Sequence, residues 1–184
     1  MSKSALKKVL ATLTSEQKDE LLLALYSARK EAKEYLDFFV NPDIDRLIDT
    51  TSASITKEIY RRGKRGFNKP RIMTIRNLIK KVATLNPGAE YVLKLHINTI
   101  RAVALAAAAG YWYTEAYAEC FTRLLTEALR IADDACVLEP TVTELKEIIG
   151  AMPSSPFKRA SRFMRSRLSE GLSEGLEALT KAPD

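Results

Sequence analysis

The sequence predicts an all-α protein, an irregular multi-helix bundle of about seven or eight helices, for which helix-pair (HEAT-like) stacking is one available arrangement. Three observations lead there. Apolar residues recur at spacings of three and four along most of the chain. No stretch alternates with period two and no Asn-Gly or Asp-Gly hairpin turn occurs, so no sheet is expected. Pro42, Pro70, Pro87, Pro140 and Pro156 each precede an apolar-periodic run, and Gly63, Gly110 and Gly150 each follow one.

In chain order, Leu6, Val9, Leu10 and Leu13 mark a short first helix that Ser2 or Ser4 can cap. Thr14 to Gln17 reads as a capping box. Behind it, Leu21, Leu22, Leu25, Ala28, Ala32, Tyr35, Leu36 and Phe39 form one stripe, predicting a single helix from Ser15 to about Phe39. Ile44, Leu47, Ile48, Ile55 and Ile59 line the next helix, capped by Asn41 and ended by Gly63, although its β-branched "TTSASIT" lowers intrinsic helicity. Ile72, Ile75, Leu78, Ile79, Val82 and Leu85 predict another. The stretch from Ala89 to Ala109 ends in "AVALAAAA" and has almost no polar face, which assigns it to the middle of the bundle. Only "GYWY" separates it from the run through Phe121, Leu124, Leu125 and Ile131, so these two helices should pair antiparallel, with the aromatic turn sealing the bundle end. A second capping box, Thr141 to Glu144, opens a short helix ending near Gly150.

The expected organisation is a helical core domain over residues 1–150, then a linker, "AMPSSP", and an amphipathic C-terminal helix within 151–184. Phe157, Met164, Leu168, Leu172 and Leu179 share one side of that helix. The glycines of "SEGLSEGL" each cost about 1 kcal/mol relative to alanine, and its far end is expected to fray. No fixed repeat period is present.

With 184 residues, 46% hydrophobic and 28% charged, the chain has the composition of a globular protein. Its longest apolar run, Ala102 to Tyr113, is shorter than the about 20 residues that a membrane span needs. No secretory leader is evident in Met1–Thr14, so the expected location is cytoplasmic. Cys120 and Cys136 have no zinc-like or disulfide-framework spacing, and on one helix they would stand roughly 24 Å apart. They read as packing residues.

The net charge is +6, and its placement is more informative than its size. "KEIYRRGKRGFNKPR", residues 57–71, holds seven cations against Glu58 and carries a net +6, leaving the rest of the chain balanced. A second patch, "KRASRFMRSR" at 158–167, carries +5 and is partly offset by the acidic tail. Arg61, Arg62, Lys64, Arg65, Lys69 and Arg71, with Lys158, Arg159, Arg162 and Arg165, are therefore the candidate polyanion-binding residues, and Tyr60 and Phe67 are candidates for stacking on bases.

The segments "SALKKVL", "KEYLDFFVNPDIDRLID" and "KRGFNKPRIMTIRNLIKK" resemble an uncharacterised bacterial family of small all-helical proteins, a domain of unknown function, over about residues 1–150. The resemblance implies an all-helical cytosolic protein and supplies no activity. The extension from about 151 departs from the family pattern.

Catalytic machinery is sparse. His96 is the one histidine, and it reads as a packed core residue rather than as half of a dyad with Cys120. Asp37, Asp45 and Asp49 form a carboxylate trio of the kind that holds Mg²⁺ or Ca²⁺, a distant route to a metal-dependent enzyme. Asp43 and Asp45 are more simply anions in a helix first turn. No Gly-rich phosphate loop, HExxH or GxSxG occurs. The reading is a non-enzymatic helical interaction module without cofactor or metal, its partner a protein or nucleic acid. Non-specific nucleic-acid binding through residues 57–71, helped by 158–167, is the alternative. The C-terminal helix is a candidate for homo-oligomer formation, and a membrane surface is the weakest partner.

Overall fold

A computed structural model describes residues 2–63, 66–67 and 69–181, with backbone alone for Arg62, Gly63, Gly66 and Phe67. Among the described residues the fold is all-α with nine helices: α1 (Lys3–Thr12), α2 (Ser15–Ala28), α3 (Lys30–Val40), α4 (Ile44–Ile59), α5 (Ile72–Thr84), α6 (Ala89–Ala108), α7 (Glu115–Asp134), α8 (Leu138–Gly150) and α9 (Arg159–Lys181). The expectation of no sheet is corrected by one short ladder. Arg62–Gly63 (β1) pairs antiparallel with Gly66–Phe67 (β2), so Gly63 lies in this ladder and α4 ends earlier, at Ile59. No described helix is long and apolar enough to cross a membrane.

The chain divides into two compact units, Met1–Asp43 and Ile44–Asp184. In the first, Ser2 caps α1 and the Thr14–Gln17 capping box forms in both directions, at 3.2 and 3.0 Å. The single helix expected from Ser15 to Phe39 is two helices, which raises the count to nine. Arg29 is extended (φ −133°, ψ 120°), and α3 folds back so that the Tyr26 hydroxyl donates to Asp37 Oδ1 at 2.8 Å. Neither glycine nor proline marks that break; the gain is tertiary contact between the two halves.

In the second unit α6 touches all five other helices, α4, α5, α7, α8 and α9. Leu93, Leu95, Ile100, Val103, Ala106 and Ala107 are all buried, and the expectation of almost no polar face is corrected only by a narrow exposed stripe through Glu90, Lys94, Arg101 and Leu105. The ends of α6 and α7 close in the same way. Gly110 (φ 95°) donates to the Ala107 carbonyl and Tyr111 to that of Ala106; Cys136 (φ 57°) donates to Asp133 and Val137 to Ala132. Both are paired-carbonyl helix stops that need one left-handed residue. At Gly110 glycine takes it freely; Cys136 is exposed at the surface, which corrects its reading as a packing residue.

Two further expectations change at the C-terminal side. α8 begins at Leu138, so Pro140 lies in its first turn, and the Thr141 hydroxyl donates to the Val137 carbonyl instead of forming a capping box. α9 is continuous to Lys181 rather than frayed, with Leu172 and Gly175 buried and Leu176 and Leu179 against the core. Its glycines are the reason. A Cβ on Gly171 would stand 2.1 Å from Thr122 Cγ2 on α7, and one on Gly175 2.7 Å from Leu129 Cδ1. The absent side chains let α9 lie directly on α7, and the burial this permits outweighs the helix-propensity cost. Phe157, expected on the apolar face of α9, precedes the helix and is 95% exposed.

Replacing Gly171 by alanine should therefore cost about 1–3 kcal/mol despite alanine's better helix propensity. Gly175→Ala should cost less, because the terminal methyl of Leu129 can move. Urea unfolding of the two variants would check the order.

Candidate functional site

The directions of the helices gather one set of ends at a single pole of the second unit. Tyr60, just past α4, packs edge-to-face on Tyr111, just past α6, with ring centroids 5.2 Å apart. Lys158 Nζ donates to the last carbonyl of α6, Ala108, at 3.4 Å, and Arg165 donates to the Met152 carbonyl beyond α8 at 3.0 Å. The C-terminal ends of α4, α6 and α8 thus meet there. At the same pole Arg71 opens α5 beside Glu58, Glu115 opens α7 in an ion pair with Arg167, and Trp112 stacks on Phe163 of α9 at 5.3 Å.

Helix C-termini carry unpaired carbonyls and negative dipole charge, so cations there are stabilised. This is a structural use for part of the basic sequence. Glu58, at the end of α4, receives two hydrogen bonds from Arg71, Nε to Oε2 at 2.8 Å and a terminal nitrogen to Oε1 at 2.5 Å. Arg61 stands 3.9 Å from the same carboxylate and also donates to the Lys69 carbonyl at 3.4 Å. The fork binds the two roots of the basic segment together. Arg71, through both hydrogen bonding and charge, with Arg61 and Lys57 adding charge, holds the Glu58 carboxyl below its ordinary value of 4.5, against the opposing effect of desolvation.

The ten candidate cations therefore separate. Arg71 and Arg61 are engaged by Glu58, and Lys158 and Arg165 by backbone carbonyls. Lys69, Arg159 and Arg162 are exposed and have no carboxylate partner among the described residues. Lys64, Arg65 and the side chain of Arg62 lie outside what is described, as does the Phe67 ring. Tyr60 is half-buried against Tyr111, with burial raising its pKa, so its ring is occupied within the fold. Trp112, read from sequence as a seal, is 61% exposed and stacked on Phe163, while its neighbours Tyr111 and Tyr113 do the sealing. The stack on Phe163 of α9 covers one face of the Trp112 ring and leaves the rest to solvent, a contact that local spacing does not encode.

The catalytic candidates come apart. His96 is buried, and its Nδ1–H donates to the Leu124 carbonyl at 3.0 Å, because a carbonyl can only accept. Desolvation lowers its pKa, so the ring is neutral. Cys120 is not its hydrogen-bond partner. Asp37 accepts from Tyr26 in the first unit, whereas Asp45 and Asp49 belong to the second, and no group of three His, Cys, Asp or Glu among the described residues is arranged to hold a metal ion.

The model of a family of unknown function (DUF6155) matches residues 1–153, and the chain belongs to that family. No curated protein and no solved structure matches it.

Two predictions follow from this geometry. A depressed carboxyl pKa contributes stability that is complete above the ordinary value of 4.5 and lost as pH falls through the lowered one. Glu58→Gln should thus be less stable than the native chain at neutral pH, with the difference shrinking on acidification, measured by thermal unfolding across pH. Second, the Tyr113 hydroxyl is buried without a hydrogen-bond partner among the described residues, and its pKa is raised, chiefly by desolvation. Removing it in Tyr113→Phe should raise stability by about 1 kcal/mol, since an unsatisfied buried hydroxyl is costly.

Proposed function

For this member of a family without an assigned activity, we propose a non-enzymatic helical interaction module that uses the cationic pole of residues 44–184 as its contact surface, with nucleic acid as the polyanion it grips. The observation that carries this reading is the rooting of two basic segments, separated by most of the unit's sequence, at the pole that also carries one exposed tryptophan. Glu58 and Arg71 root the first, Lys158 and Arg165 root the second, and Trp112 on Phe163 stands at the second root.

Physical chemistry assigns the parts. Lys69, Arg159 and Arg162, exposed and without a carboxylate partner among the described residues, meet phosphates and release counterions. Lys158 and Arg165 keep their charge while bonding neutral carbonyls, and add to the same field. Trp112 offers a face on which an unpaired base can stack. Binding of this kind is sequence-tolerant, because neither phosphates nor a stacking face read base identity. A cytosolic setting, in which Cys120 and Cys136 remain thiols, belongs to the same proposal.

A salt titration of binding to short duplex and single-stranded oligonucleotides tests it. Five phosphate contacts give a log–log slope of about −4 to −5 on duplex DNA. The triple variant Lys69→Gln, Arg159→Gln, Arg162→Gln should reduce the slope by about 2–3. Trp112→Ala should weaken single-strand binding by about 1–3 kcal/mol and spare the duplex. Absence of binding at low salt, or slopes identical in the native chain and the triple variant, would overturn the proposal.

A further inference from the structure

We propose that residues 1–43 are a self-association module, through which two copies of this chain bury the apolar faces of α2 and α3 against each other. The starting point is a mismatch between sequence and burial. No residue of α1, α2 or α3 is buried, yet the unit carries nine large apolar side chains in the exposed class, among them Leu21, Leu22, Leu25, Phe39 and Val40. The second half of α2, Leu21–Leu25, is apolar on every side. Such a helix needs cover from more than one direction, and the α2–α3 contact made through Tyr26, Asp37 and Lys33 supplies one.

The unit contains no cysteine, and no metal-binding group occurs among the described residues. Units of this length ordinarily require a disulfide, a metal or oligomerisation to offset chain entropy. Of these, oligomerisation remains.

Charge and area select the partner. Residues 1–43 hold seven Lys and Arg against seven Asp and Glu, so the whole +6 of the chain resides in 44–184. A balanced surface gains nothing from an acidic or a basic partner, and two copies meet without net repulsion. Burying an apolar side chain of this size removes on the order of 60–120 Å² from water, taking about 1.5–3 kcal/mol at about 25 cal/mol per Å². The seven of them on α2 and α3 extend up to the about 800 Å² per partner that a specific interface buries. Two α2–α3 hairpins then form a four-helix bundle whose core is made by both chains.

Sedimentation equilibrium of the full chain, without nucleic acid, tests this independently of the cationic pole. The native chain should show twice the monomer mass and dissociate on dilution. Leu22→Glu with Phe39→Glu should raise the dissociation constant by more than about tenfold, with α-helical circular dichroism retained. A monomer at every concentration, or a dimer that these substitutions leave unchanged, overturns the proposal. Should the variants lose helicity, hydrogen exchange of the native chain decides. Protection of α2 and α3 amides should rise with concentration while that of α6 and α7 stays constant, and protection independent of concentration would refute the idea.

Discussion

The constraint on which the second unit depends is the narrowness of the exposed side of α6, a single stripe through Glu90, Lys94, Arg101 and Leu105. A twenty-residue helix that is apolar or alanine on all its other sides lowers its free energy by burying them, and five helices pack against it. Alanine-rich surfaces also let neighbours approach closely. The same device recurs where α9 meets α7, with Gly171 and Gly175 in place of alanine. Close packing against small residues is thus the common mechanism of assembly, and it fixes which ends of which helices come together.

Electrostatics follows from that geometry. With the C-terminal ends of α4, α6 and α8 at one pole, unpaired carbonyls and aligned peptide dipoles accumulate there. Lys158 and Arg165 reach two of those ends, and the Glu58–Arg71 fork closes the third. Positive charge at this pole therefore has a structural origin before it has any functional one. Lys69, Arg159 and Arg162 exceed that structural need, and they are what a polyanion would meet.

Much of this was legible in the sequence. The central position of α6, the Thr14–Gln17 box and the stop at Gly110 rest on local spacing, and local spacing is what one sequence displays. The break at Arg29 was not legible, because no helix-breaking residue marks it and the fold-back is stabilised by a contact eleven residues away. Gly171 and Gly175 were misread for a related reason: propensity scores a glycine as a defect, while its value lies in the neighbour it admits. For the candidate site, sequence located the charge but could not divide it. That Arg71 is committed to Glu58 while Arg162 is not depends on which helix ends meet, as does the exposure of Trp112 between sealing tyrosines.

The central claim is that the two basic segments share one end of the unit. The most direct test is a pulsed electron–electron distance between spin labels at positions 69 and 162, in a chain whose native cysteines are replaced. A shared pole predicts a separation within about two interhelical spacings of about 8–10 Å each, plus the label arms. A separation beyond the about 30 Å length of α6, with the same label arms added, would set the segments at opposite ends and contradict the account.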